Sequence, residues 1–149
     1  MSKQETLADL ITNETTSKPK GEKVLKSNYN DWNIETLAEW NSKKINLRIS
    51  ARVPKFHITF ENCIIKKAKI ISIITRYDNF KIRGKSSSIS DLLLSDPIAK
   101  NLLKGGNARF ELSDKNLIYN VKLKRQDKTS LINVFILIEK LTEKIDMII

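Results

Sequence analysis

Apolar and polar positions alternate with period two over most of the centre of this chain, and the period lengthens toward both ends. Ile45, Leu47 and Ile49 alternate with Asn46, Arg48 and Ser50, the mark of a half-buried strand. Phe56, Ile58 and Phe60 repeat the pattern against Lys55, His57, Thr59 and Glu61, and a turn is expected at Glu61-Asn62. Ile64 to Tyr77 reads as a long strand that passes from a wet surface into cover at Ile70–Ile74, with Lys67 and Lys69 facing out. Phe80 and Ile82 open the next strand. Ala108/Phe110/Leu112 and Leu117/Tyr119/Val121/Leu123 give two more, with Lys122, Lys124 and Arg125 on the wet side of the second.

Helical periods flank these strands. Asp31 is read as the cap of a helix from Trp32, with Ile34, Leu37 and Trp40 on one face. A brief helix is expected over Leu92–Leu94. Asp96-Pro97 opens a second one that Gly105-Gly106 closes, because proline suits a first helical turn and glycine a C-terminus. Leu131, Val134, Ile138, Leu141, Ile145 and Ile148 form a heptad-like stripe, read either as core or as a contact for self-association. Residues 1–30, broken by Pro19 and Gly21, read as a flexible polar arm. The expected organisation is an arm over 1–30, a small barrel domain with a leading helix over 31–130, and an amphipathic segment over 131–149.

Charge changes this picture. The net charge is +10 over 149 residues, but it is unevenly placed. Residues 43–128 hold twenty Lys/Arg against seven Asp/Glu, whereas residues 1–42 hold five against seven and residues 129–149 two against three. Positive potential concentrated on the β-rich centre attracts polyanions. One cysteine and one histidine leave no thiol pair for a disulfide and no His/Cys cluster for zinc. No apolar run reaches membrane-spanning length, no secretory signal opens the chain, and a cytoplasmic setting is expected. The scattered aspartates sit in turn and cap contexts, and no nucleophile, base and orienting group assemble in sequence. The chain reads as a binding protein without a cofactor, not as an enzyme.

Residues 51–82 resemble the Sm-like RNA-binding proteins of the Hfq type. The likeness is carried by Arg52-Val53-Pro54, by Ile58 to Asn62, by Ile70 eight positions past Asn62, and by Tyr77-Asp78-Asn79-Phe80. Ile118-Tyr119-Asn120 falls where that family has its Tyr-Lys-His strand. Cys63 stands in place of the family's turn glycine, and no Lys-His follows Tyr119. The resemblance implies an α+β fold: a small, strongly bent antiparallel β-barrel (Sm/SH3-like) with an N-terminal helix, an inserted short helix and a C-terminal helix. It also implies an RNA or single-stranded nucleic-acid partner and a role in post-transcriptional regulation, with Asn79, Phe80 and Tyr119 at base-contacting positions. Aromatic rings stack on unpaired bases and an amide reads their edges. Arg48, Arg52, Lys55, Lys67, Lys69, Lys122, Lys124 and Arg125 are the expected phosphate contacts. Two other classes stand beside this one. The 131–149 stripe suits an adaptor subunit of a larger assembly or a homo-oligomer. The Arg48/Arg52 pair resembles the opening of a PilZ domain, which implies cyclic-dinucleotide binding.

Overall fold

A computed structural model describes residues 2–67, 80–104 and 107–149. Helix α1 (Lys3–Ser17) begins where the Ser2 side chain accepts a hydrogen bond from the Glu5 amide at 3.1 Å, and it buries Ala8, Ile11 and Thr15. The expected flexible arm is therefore a helix followed by a strand, β1 (Gly21–Tyr29). The expected helix at Trp32 is also a strand, β2 (Trp32–Trp40), which pairs with β3 (Lys44–Arg52). Ile34, Leu37 and Trp40 suit a helical face, but Trp32, Ile34, Thr36, Ala38 and Trp40 suit a strand face, and those five are buried. Tertiary pairing decides between two patterns that local sequence leaves level. Asp31 does not cap a helix. Asn30 and Asp31 take φ of 46° and 69° and form a two-residue hairpin turn, a conformation that Asn and Asp tolerate well.

After β3 the chain runs irregularly to β4 (Phe60–Lys67), so the expected strand from Phe56 to Phe60 is absent and Asn62 lies inside β4, not at a turn. Pro54 supplies no amide hydrogen, and the Val53 amide bonds to the Lys115 carbonyl at 2.8 Å. Beyond β4 come β5 (Phe80–Gly84), α2 (Ser88–Ser95), α3 (Pro97–Leu103), β6 (Arg109–Asp114), β7 (Asn116–Lys124) and α4 (Lys128–Asp146). The two short helices, the last two strands and the final helix follow the sequence reading, with α2 capped by Ser87 and α3 by Asp96. The expected continuation of β4 to Tyr77 and the Gly105-Gly106 stop lie outside the described residues.

The described strands form one seven-stranded antiparallel sheet in the order β1-β2-β3-β7-β6-β4-β5. The fold is α+β, but the sheet is not closed into a barrel: β1 and β5 stand at opposite ends of it. Gly84 ends β5 at φ 105°, and a Cβ there would lie 2.4 Å from the Asn62 carbonyl oxygen, so only glycine fits.

The helices share one face of the sheet. The Tyr119 hydroxyl of β7 donates to the Leu102 carbonyl of α3 at 2.7 Å, and the Trp32 indole of β2 donates to Asp146 of α4 at 2.9 Å. Helix α1 packs beside α4, and the Arg125 guanidinium donates to the Thr15 and Lys18 carbonyls at the end of α1. The stripe on α4 faces the sheet: Leu131, Val134, Ile138, Leu141 and Ile145 are buried, and of the six stripe residues only Ile148 is exposed.

Asp96 ties three helices together. Its carboxylate accepts from the Ile98 amide at 2.7 Å and from Lys144 of α4 at 2.6 Å while 7% exposed. Burial raises its pKa, but Lys144 and the Ile98 and Ala99 amides outweigh this and hold the carboxyl below the usual range. A pKa lower in the folded than in the unfolded chain adds stability above the unfolded value of about 3.9, lost as pH falls through the folded one. D96N keeps a capping amide but loses the charge. It is expected to cost about 1–2 kcal/mol at pH 7, less than a fully buried pair because Lys144 reaches water. Urea melts from pH 7 to pH 2 check this: the gap between wild type and D96N closes below about pH 4.

Candidate nucleic-acid interface

Because the helices occupy one face, every second residue of each strand is left on the other. Burial fixes which: Ile45, Leu47, Ile49 and Ala51 of β3 are covered, so Arg48 and Arg52 project from the open face. The ladders then set what stands beside them. Arg48 is opposite Asn120, Asn120 opposite Arg109, Arg109 opposite Lys66, and Lys66 opposite Lys81. With strands about 4.8 Å apart, this row crosses five strands and about 19 Å of sheet. It contains no acid.

Such a row burdens the sheet. Like charges directly opposite one another on neighbouring strands destabilise the pairing, and Arg109, Lys66 and Lys81 are opposed in sequence across three strands. Among the described residues, none of the row's four cations has an ion-pair partner. Between Arg48 and Arg109, the Asn120 Nδ2 is buried and makes no hydrogen bond. Two guanidinium groups and an unsatisfied amide donor therefore flank one point, which lines a hollow of about 360 Å³ with Leu37, Glu39, Asn46, Asn107 and Lys122. A second hollow of about 520 Å³ on the same face is lined by Lys26, Asn28, Asn33, Glu35, Ser50, Arg52 and Asn116. Although Glu39 lines the same hollow, these donors make no ion pair and no hydrogen bond with it, and such a group of donors suits an anion with several oxygens, such as a phosphate group.

The structure sorts the expected contacts. Arg48, Arg52 and Lys122 share the open face, with Lys122 at the rim of the larger hollow's neighbour and of a second cleft beside α4. Lys124 is exposed at the end of β7. Arg125 is committed to the end of α1, and Lys55 lies in the loop after β3, where its ammonium donates to the Ile149 carbonyl at 3.0 Å. Lys69 and Asn79 lie outside the described residues. Phe80 is half-buried against the core opposite Lys67. A register shift between Phe60 and Cys63 advances β4 by one phase, so Ile65 turns inward and Lys66, not Lys67, joins the open face.

Tyr119 is 1% exposed, packs 5.2 Å from the Phe110 ring centroid, and has its phenol pKa raised by burial. It belongs to the core, where no base can stack on it. Tyr119→Phe is expected to cost about 1–2 kcal/mol in urea denaturation, by leaving the Leu102 carbonyl unsatisfied, and to leave polyanion affinity unchanged.

Sequence reasoning missed Arg109, the one cation of the short β6, and Lys81, which shares the short β5 with Arg83. The alternation around Phe110 and Leu112 already places Arg109 on the wet side. What no local pattern supplies is that β6 lies one strand from β3 in no direct pairing, with β7 between them.

Among the described residues no helix is long and apolar enough to cross a membrane, and no three His, Cys, Asp or Glu side chains gather as metal ligands. The Cys63 thiol is buried, which raises its pKa. No family model, curated protein or solved structure matches this chain.

Proposed function

We propose that the chain binds RNA or another single-stranded nucleic acid on the open face of its sheet, chiefly through the phosphates. The observation that carries this reading is the acid-free row Arg48–Asn120–Arg109–Lys66–Lys81, whose mutual repulsion a bound polyanion relieves. Aromatic side chains add little. Trp32, Trp40, Phe110 and Tyr119 all face the helices, so binding is tolerant of base sequence. Post-transcriptional regulation, as the Sm-like resemblance implies, is the setting in which such an activity serves.

The test is a filter-binding titration of single-stranded RNA at several salt concentrations. Four phosphate contacts give a slope of about −3 in log K against log salt. Affinity no better than that of a size-matched basic control, with no salt slope, overturns the proposal.

A dinucleotide-sized ligand fits less well. Arg48 and Arg52 lie four residues apart on one strand, about 13 Å, and they border separate hollows. The adaptor reading finds its support elsewhere than in α4, at the outer edge of β1.

A further inference from the structure

Strand β1 ends the sheet, and its outer edge is unpaired among the described residues. The hairpin fixes which backbone groups lie on that edge. A two-residue turn makes Tyr29 and Trp32 the closing hydrogen-bonded pair, so odd-numbered residues of β1 bond to β2 and even-numbered ones point away. The Lys3 ammonium donates to the Asn28 carbonyl, as this alternation requires. Glu22, Val24 and Lys26 thus present free amide and carbonyl groups on a regular, bulge-free, proline-free edge. Their side chains lie on the open face, and Val24 is 50% exposed beside Leu37. Native sheets blunt such edges with bulges, prolines or charges.

The charges here suit pairing with a second copy. Antiparallel self-pairing is symmetric about one residue. Centred on Val24, it sets Val24 against the partner's Val24 and Glu22 against the partner's Lys26, twice over. Centring on Glu22 or Lys26 opposes like charges, and centring on Lys23 or Leu25 leaves both charges without an opposite. One register alone satisfies the edge.

We propose that two copies of this chain pair β1 against β1 antiparallel about Val24, giving one continuous sheet with all helices on one side. This goes beyond nucleic-acid binding and does not depend on it. The partner copy joins an apolar strip, Leu37–Val24 from each chain, across the two-fold axis, and it carries the second cationic row to the far wing of the same surface.

Sedimentation of the full chain from about 1 to 100 µM tests this, with circular dichroism as the control for folding. Wild type is expected to reach dimer mass. E22K and K26E each set like charges opposite at two places and are expected to weaken association about tenfold or more. E22K/K26E restores the complementary pairs and is expected to recover the wild-type mass. Since Cys63 is buried, V24C under mild oxidation is expected to give a covalent dimer, because directly opposed residues at about 5.5 Å between Cα atoms match disulfide geometry. The idea is overturned by a monomer throughout, which leaves the edge to a strand of another protein. A dimer indifferent to both single reversals, a double reversal without recovery, or V24C that stays uncrosslinked overturns it equally.

Discussion

R48E/R109E is expected to lower affinity for single-stranded RNA about 100-fold or more at 0.1 M salt, and to flatten the salt slope by about 1.4. The two arginines flank the unsatisfied Asn120 amide, so reversing both places carboxylates where phosphate oxygens are proposed to sit. Each lost charge-assisted contact is worth about 1.5–3 kcal/mol, and each reversal adds repulsion. Stability moves the other way. Glu at position 109 stands opposite Lys66 and converts a like-charge pair into an opposite one, worth a few tenths of a kcal/mol to about 1 kcal/mol. A variant that melts no lower than wild type yet fails in filter binding separates function from folding. Unchanged affinity would falsify the phosphate reading of this face.

Trp32→Ala is the substitution expected to harm folding most. Trp32 is fully buried at the end of β2 nearest the hairpin turn, and its indole nitrogen donates to Asp146 at 2.9 Å. Truncation empties a site the size of two rings, at about 3–5 kcal/mol, and also frees the Asp146 carboxylate. Against a typical total of about 5–15 kcal/mol, a substantial unfolded fraction at 37 °C is expected. Trp32→Phe fills most of the space, loses the donor, and is expected to cost about 1–3 kcal/mol. Urea denaturation followed by far-ultraviolet circular dichroism measures both. If Trp32→Ala costs under 1 kcal/mol, the indole is not the anchor between sheet and last helix that its contacts describe.

The strands whose two faces differ strongly in polarity were legible in the sequence. In β3 apolar and polar residues alternate throughout, and in β7 they alternate from Tyr119 to Lys124 after an apolar run at Leu117–Tyr119, so the face of each strand that meets the helices comes out as the pattern requires. The Asp96-Pro97 start and the α4 stripe were legible for the same reason, a strong local signal with one structural solution. The first forty residues were misread because their signals are weak or shared. Helix α1 has few apolar residues and takes its order from α4, more than a hundred residues away in sequence. In β2, Ile34 and Trp40 fit both periods, and Leu37 completes the helical one alone. The cationic row was half legible: Arg48's side followed from alternation, but its neighbours depend on which strands adjoin, and the phase of Lys66 depends on a bulge that no local pattern reveals. The stretch before Asn62 looked like strand and turn because Phe56 and Ile58, in an irregular loop, alternate by chance with Phe60, the first residue of β4.

The central position of β7 has a consequence for biosynthesis. Of the described strands it is the last in sequence to leave the ribosome, yet among them it alone joins the β1–β3 meander to the β6–β4–β5 group. Until it emerges, the nascent polypeptide holds two separate ribbons, each with an apolar side lacking its cover. At translation rates of about 5–20 residues per second, the first ribbon waits several seconds for its counterpart. Arg48 and Arg109 come within reach of each other only when that seam closes, so a truncated translation product ending before residue 116 carries the same cations without the array they form.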